Sequence, residues 1–250
     1  MGETQPRPSY FGAGEHRLAY RLRAGSSPTL PFLPGYASDM DGAKAVAIDA
    51  FAQRRGLAML RFDYSGTGSS GGSFADGTLD AWIAEALAMV DRLTEGPLVV
   101  VGSSMGGWIA HHVALRRPER VQALVGIAAA PDFTNWGFTA EQKQELLEQG
   151  RIERSNPYGG DSQLTTRAFW QSGEALRLLD GPIAVDCPVR LVHGEADRDV
   201  PVAVALQLID RLRSADVQLN ILKGGGHRLS EPLEIDAIVR TIAALVEPCP

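Results

Sequence analysis

The sequence predicts an α/β fold, a mostly parallel eight-stranded sheet with helices on both faces. Three observations carry that expectation. Short apolar runs alternate with stretches of helical periodicity along most of the chain, the pattern of parallel strands joined by helical crossovers. The run Leu98-Val99-Val100-Val101 lacks polar alternation, as a strand covered on both faces requires. It leads directly into Gly102-Ser103-Ser104-Met105-Gly106, a Gly-x-Ser-x-Gly spacing that reverses a strand sharply into a helix and lifts the central serine clear of the sheet.

The elements follow in order. Phe11 to Gly14 and His16 to Leu22 read as two short strands of an opening hairpin, and Gly25 to Pro28 as a loop before a third strand at Thr29 to Leu33. Val46, Ala47, Ala50 and Phe51 give Lys44 to Arg55 a helical spacing that Gly56 stops. Leu57 to Phe62 is the next strand, and Leu79 to Leu93 a helix with Trp82, Ile83, Leu87, Val90 and Leu93 on one stripe. Beyond Ser104, Gly107 to Arg116 predicts a helix that ends before Pro118, and Val121 to Ala128 a further buried strand. The alternation breaks from Pro131 to about Ala184, where short helices are expected over Ala140 to Gln149 and Thr165 to Leu179. We read residues 131–184 as a small cap insertion over the Ser104 edge of a single domain spanning 1–250. The pattern then resumes with a strand at Val189 to His193, a helix at Val202 to Leu212, a strand at Val217 to Leu222 and a helix at Glu234 to Val246.

Composition narrows the function classes. Twenty-four basic against thirty acidic residues give a net charge of −6 without a Lys/Arg cluster, which argues against nucleic acid or an anionic membrane surface as partner. Cys187 and Cys249 show no metal-ligand spacing and imply no disulfide framework. Met1 to Pro6 has no basic flank leading into an apolar stretch, so neither a signal peptide nor a membrane span is expected, and the location expected is cytoplasmic.

The serine needs a base, and the base needs an orienting group. Of the five histidines, His227 follows Gly224-Gly225-Gly226 just after the last strand, where a glycine loop can carry an imidazole over Ser104. His16, His111, His112 and His193 sit on a hairpin, the nucleophile helix or a buried strand. Asp197 lies in the loop after the penultimate strand, at the carboxyl edge where open α/β sheets gather functional groups. Asp199 and Glu195 are its rivals in that loop, and Asp132, after the preceding strand, is a further alternative. Two backbone donors are expected for a developing oxyanion: Met105 N–H at the start of the helix, and Tyr36 N–H in the turn Pro34-Gly35-Tyr36. Asp63-Tyr64-Ser65-Gly66-Thr67-Gly68-Ser69-Ser70 lacks a phosphate-loop pattern and reads as a structural turn, with Asp63 accepting backbone hydrogen bonds. Phe133, Trp136, Phe138, Phe169 and Trp170 offer aromatic lining from the cap, and Met40 and Trp108 are further lining candidates.

With these motifs in order, the chain resembles the α/β-hydrolase superfamily over essentially its whole length. More narrowly, Phe32 to Met40, Arg61 to Ser70 and Val101 to Trp108 are similar to the mitochondrial acyl-protein thioesterase subfamily. That resemblance implies a serine hydrolase acting on S-palmitoyl cysteine and acyl glucuronides, with Ser104 as nucleophile, His227 as base and Asp197 as its orienter. The chain departs from that subfamily in having no Arg-rich transit peptide. The expected activity is hydrolysis of carboxylic esters or acyl thioesters through an acyl-enzyme, without metal or organic cofactor. The substrate is a small ester or thioester, or an S-acylated protein. A serine peptidase of the same fold and a non-catalytic binding protein are the alternatives.

Overall fold

The computed structural model describes residues 7–155 and 162–246. The Met1 to Pro6 reading and Cys249 lie outside them.

Strands β1 (Ser9–Phe11), β2 (Leu18–Arg23), β3 (Ser26–Leu33), β4 (Leu57–Phe62), β5 (Leu98–Ser103) and β6 (Val121–Ile127) lead the chain. Between them lie helices α1 (Ala43–Arg55), α2 (Leu79–Leu93) and α3 (Met105–Arg116). Next come α4 (Phe133–Trp136), α5 (Ala140–Gln149), β7 (Arg151–Arg154), β8 (Gln163–Thr166) and α6 (Arg167–Ala175). The chain closes with β9 (Val189–Gly194), α7 (Val202–Arg211), β10 (Val217–Leu222) and α8 (Pro232–Val246).

Eight strands form one sheet in the order β1-β2-β4-β3-β5-β6-β9-β10. β2 runs antiparallel to both its neighbours and the remaining pairs are parallel. β5 is fully buried, and its side chains alternate between two cores. Leu98 and Val100 face α2, α3 and α7, whereas Val99 and Val101 face α1 and α8. Apolar residues on both sides of one strand are what a central parallel strand demands.

Local chemistry sets the helix ends. Gly56 and Gly150 take left-handed φ values of 66° and 81° at the carboxyl ends of α1 and α5. Thr139 and Gln142 form a reciprocal capping box at the start of α5.

Two expectations are corrected. The opening strands lie at Ser9–Phe11 and Leu18–Arg23, because Gly12 and Gly14 adopt positive φ and a single 3-10 turn at Gly14–His16 occupies the middle. The expected helix over Thr165 to Leu179 instead begins at Arg167. Residues Gln163–Thr166 pair antiparallel with Arg151–Arg154, and the Thr166 hydroxyl caps α6 by accepting from Phe169 N–H. The adjacent β-branched residues Thr165 and Thr166 favour the extended chain there over helical spacing.

Candidate active site

The nucleophile turn is shaped by close backbone approaches. Ser104 stands between β5 and α3 at φ 55° and ψ −120°, a backbone state that non-glycine residues rarely adopt. Its own N–H is held by Ile127 O at 2.9 Å, and its carbonyl accepts from Gly107 and Ala130. Gly35 comes near enough that a Cβ there would sit 3.3 Å from Ser104 Cβ, so the turn after β3 closes over the serine. The Tyr36 hydroxyl donates to Leu164 O on β8 at 2.6 Å, and burial pushes its pKa up to about 12. Met105 is the first residue of α3, where an amide has no acceptor within the helix. Its side chain is buried in the core.

His227 and Asp197 arrive on two loops that are sewn together. Ala196 N–H donates to Gly225 O at 2.9 Å, Glu195 N–H to Leu222 O at 2.9 Å, and the Glu195 carboxylate accepts from Gly224 N–H at 3.0 Å. A Cβ on Gly194 would lie 2.2 Å from Gly225 O, so only glycine permits this contact. His227 Nε2 then stands 3.1 Å from Ser104 Oγ, and Nδ1 2.9 Å from Asp197 Oδ2. A carboxylate only accepts, so Nδ1 carries a proton and donates to Asp197, which leaves Nε2 facing the serine hydroxyl.

The Asp197 side chain is wholly buried, and its Oδ1 accepts from the N–H groups of Asp199 and Val200, both at 2.9 Å. Burial on its own raises the carboxyl pKa, but the hydrogen bond and charge of His227, with those two amides, outweigh it and hold Asp197 below its usual range. Lys44 on α1 donates from Nζ to the carbonyl of Arg228, the residue after His227, and burial lowers its pKa to about 8.

The rivals have other tasks. Asp199 contributes its backbone N–H and exposes its side chain, and Glu195 binds Gly224. Asp132 is buried at φ 57° and its carboxylate takes the N–H groups of Leu178 and Leu179, pinning that segment to the end of β6. Asp63 accepts from Met40 N–H at 2.7 Å and Ser69 N–H at 2.8 Å. Among the described residues, Asp197, Asp199 and His227 bring ligand atoms within 4.8 Å of one another, the arrangement that could gather a cation. The hydrogen bonds just described already use both oxygens of Asp197, so a cation would have to displace the imidazole. Cys187 is half-buried away from this site, with burial raising its pKa to about 11.

Ser104 and His227 open onto a cleft of about 670 Å³. Of the aromatic candidates, Phe133, Trp136 and Phe138 line it. Met40, Trp108, Phe169 and Trp170 are not among its lining residues. Met40 is fully buried with its N–H on Asp63, and Trp108 is buried with its Nε1 donating to Leu176 O. Phe169 is packed between Tyr36, Trp82 and Phe133, and Trp170 donates to Thr134 O. Trp108 and Phe169 thus anchor the 131–184 segment to the core instead of lining the cleft.

The sequence reading missed the polar half of the lining: Lys44, Arg154, Gln163, Thr165 and Arg198. Arg154 lies over the Phe138 ring at 3.9 Å and donates to Gly137 O and Gln142 Oε1. Three of these residues sit on the β7–β8 hairpin, whose signal was the β-branched pair Thr165-Thr166 after Gly150.

A family model described as the alpha/beta hydrolase fold matches residues 28–149. The human mitochondrial palmitoyl-protein thioesterase ABHD10 is 40% identical over 234 residues, covering 92% of this chain and 76% of that protein. The bovine counterpart is 40% identical over 98% of this chain and 86% of its own length. The solved structure of mouse alpha/beta hydrolase domain-containing protein 10 is 39% identical with a TM-score of 0.89, covering 96% of this chain and 98% of that one. Est1E from Butyrivibrio proteoclasticus, solved with ferulic acid, shares the fold at 22% identity and a TM-score of 0.79, covering 95% of this chain and 99% of its own.

The chain belongs to the α/β-hydrolase family. Within it, the chain is a hydrolase of ester or thioester bonds, in line with its similarity to the ABHD10 thioesterases. The cytoplasmic expectation is corrected by the same relatives, which are named as mitochondrial. A targeting segment is independent of the hydrolase fold, so the fold and its site do not record a compartment. No described helix is long and apolar enough to cross a membrane.

Proposed function

We propose that this protein is a serine thioesterase that removes long acyl chains from thiol leaving groups, S-acylated cysteine being the substrate class named by its relatives. The observation that carries the chemistry is the continuous line from Asp197 through His227 to Ser104, with links of 2.9 and 3.1 Å. Ser104 Oγ attacks the carbonyl carbon while His227 Nε2 takes its proton. Tyr36 and Met105 N–H groups receive the oxyanion, a donor pair in which each member is typically worth about 3 kcal/mol. The imidazolium then protonates the departing thiolate. Water, deprotonated by the same imidazole, releases the acid from Ser104.

The acyl chain lies against Phe133, Trp136 and Phe138, the apolar side of the cleft and the lip of the cap insertion. A second substrate class is favoured by the cationic part of the lining, where Lys44 on α1 and Arg154, stacked on Phe138, suit an oxygen ester whose alcohol bears a carboxylate, such as an acyl glucuronide.

The test is kcat/KM for matched short, medium and long acyl chains, each as thioester and oxygen ester, with Ser104→Ala as blank. A rise with chain length on thioesters supports the thioesterase reading. A preference for short oxygen esters overturns it.

A further inference from the structure

Asp197 has a second imidazole neighbour. His193, the penultimate residue of β9, is 1% exposed, and its Nε2 lies 2.9 Å from Val200 O and 3.5 Å from Asp197 Oδ2. A carbonyl oxygen only accepts, so Nε2 carries a proton and donates to it. The Val200 peptide is therefore held at both ends, its N–H by Asp197 Oδ1 and its C=O by His193. The loop from Gly194 to Val200 is closed by this ring of contacts, and the positive end of the His193 N–H dipole points beside the carboxylate oxygen that holds His227.

We propose that His193 is a positioning residue for the hydrolytic reaction: through the Val200 peptide and its own N–H it fixes the Asp197 carboxylate, and through Asp197 the tautomer and orientation of His227. The inference rests on the Asp197–His227–Ser104 reading above. A buried carboxylate with one correctly aimed oxygen orients an imidazole only if it cannot rotate, and the Asp199 and Val200 amides on Oδ1, with the His193 N–H beside Oδ2, oppose that rotation. Removing the His193 donor also leaves Val200 O buried without its partner and strengthens the negative field of Asp197 at His227, which favours the imidazolium. The other charged groups nearby are Arg198 and Asp199 on the same loop, Glu195 bound to Gly224, and Lys44 and Arg228 lining the cleft. They are unchanged in the variants below.

The experiment compares the wild-type chain with His193→Phe, which keeps a ring without the donor, and His193→Gln, whose amide can reach Val200 O. His193→Asn, too short to reach it, replaces Phe if that variant does not fold. Expected for Phe or Asn is a fall in kcat of about tenfold or more at little-changed KM, with the acid limb of the kcat/KM profile moved to higher pH. Gln restores both. A lowered Tm with kcat within about twofold and an unmoved limb overturns the proposal, since a purely structural residue would give that result. Asp197→Asn is run alongside: if it too leaves kcat intact, the fault lies in the Asp197 reading itself.

Discussion

Gly102 and Gly106 meet across the nucleophile turn: a Cβ on Gly102 would stand 2.2 Å from the Gly106 carbonyl oxygen. A Cβ on Gly106 would in turn stand 2.0 Å from the carbonyl oxygen of Leu33, at the end of β3. Both obstacles are backbone, so neither can yield by a rotamer change. The Gly-x-Ser-x-Gly spacing is therefore a packing requirement that seats Ser104 beside the turn bearing Gly35 and Tyr36.

Gly106→Ala is expected to abolish most activity and to lower the Tm by several degrees, the size of effect typical of overpacking by about 1–3 kcal/mol. Gly181→Ala is the control, since a Cβ there meets nothing within 4 Å. Thermal unfolding and ester turnover on both variants check the contrast, and equal losses would show that glycine replacement in general is at fault.

Asp197→Asn is expected to lower kcat by about 10²- to 10⁴-fold while the fold persists, because an amide can present its donor to His227 and select the wrong tautomer. Asp199→Asn leaves its contributing backbone N–H in place, and activity within about twofold is expected. The reverse ranking in steady-state kinetics would transfer the orienting role to Asp199.

Ser104, Asp197 and His227 were legible because each belongs to a local pattern: a glycine-bracketed turn, an acidic loop after an apolar strand, and a glycine run after the last strand. The mostly parallel sheet was legible for a similar reason, since alternating strands and helices imply crossover connections. Arg154 and Gln163 were not, because they reach the cleft through the pairing of β7 with β8, a contact between segments that sequence spacing does not encode. Trp108 shows the converse. Its position on the nucleophile helix suggested cleft lining, but helical rotation carries it into the core, where its Nε1 meets Leu176 O at 3.3 Å. In sequence His193 is one residue of a buried strand and carries no sign of a role, yet burial is what places it beside Asp197.

Asp132→Ala tests whether the carboxylate after β6 has any part in the chemistry. It would leave the buried N–H of Leu179 and the part-buried N–H of Leu178 without their acceptor, at a cost of about 1–3 kcal/mol. Urea unfolding is expected to show that loss, with kcat per folded molecule within about twofold at low temperature. A kcat collapse in a stably folded Asp132→Ala would make this carboxylate the orienting acid.

Acid stability depends on two histidines outside the site. His111 and His112 on α3 are buried, and burial lowers the pKa of each to about 4. The unfolded chain takes up protons on these groups below about 6.5, while the folded protein resists to about 4. Stability is therefore complete above the unfolded value, falls as pH drops from about 6.5 to about 4, and levels off below; each imidazole contributes up to about 3 kcal/mol to the fall. Asp63, Asp132 and Glu85 act oppositely, since burial raises their pKa values and protonation favours the folded state. The histidine part is isolated by His111→Asn, which can keep the bond from Nδ1 to Gly107 O, 2.7 Å in length, but cannot titrate. Urea unfolding across that pH range should give a shallower slope for the variant, whatever its stability at neutral pH. An unchanged slope would mean that His111 takes up its proton as readily in the folded protein as in the unfolded chain.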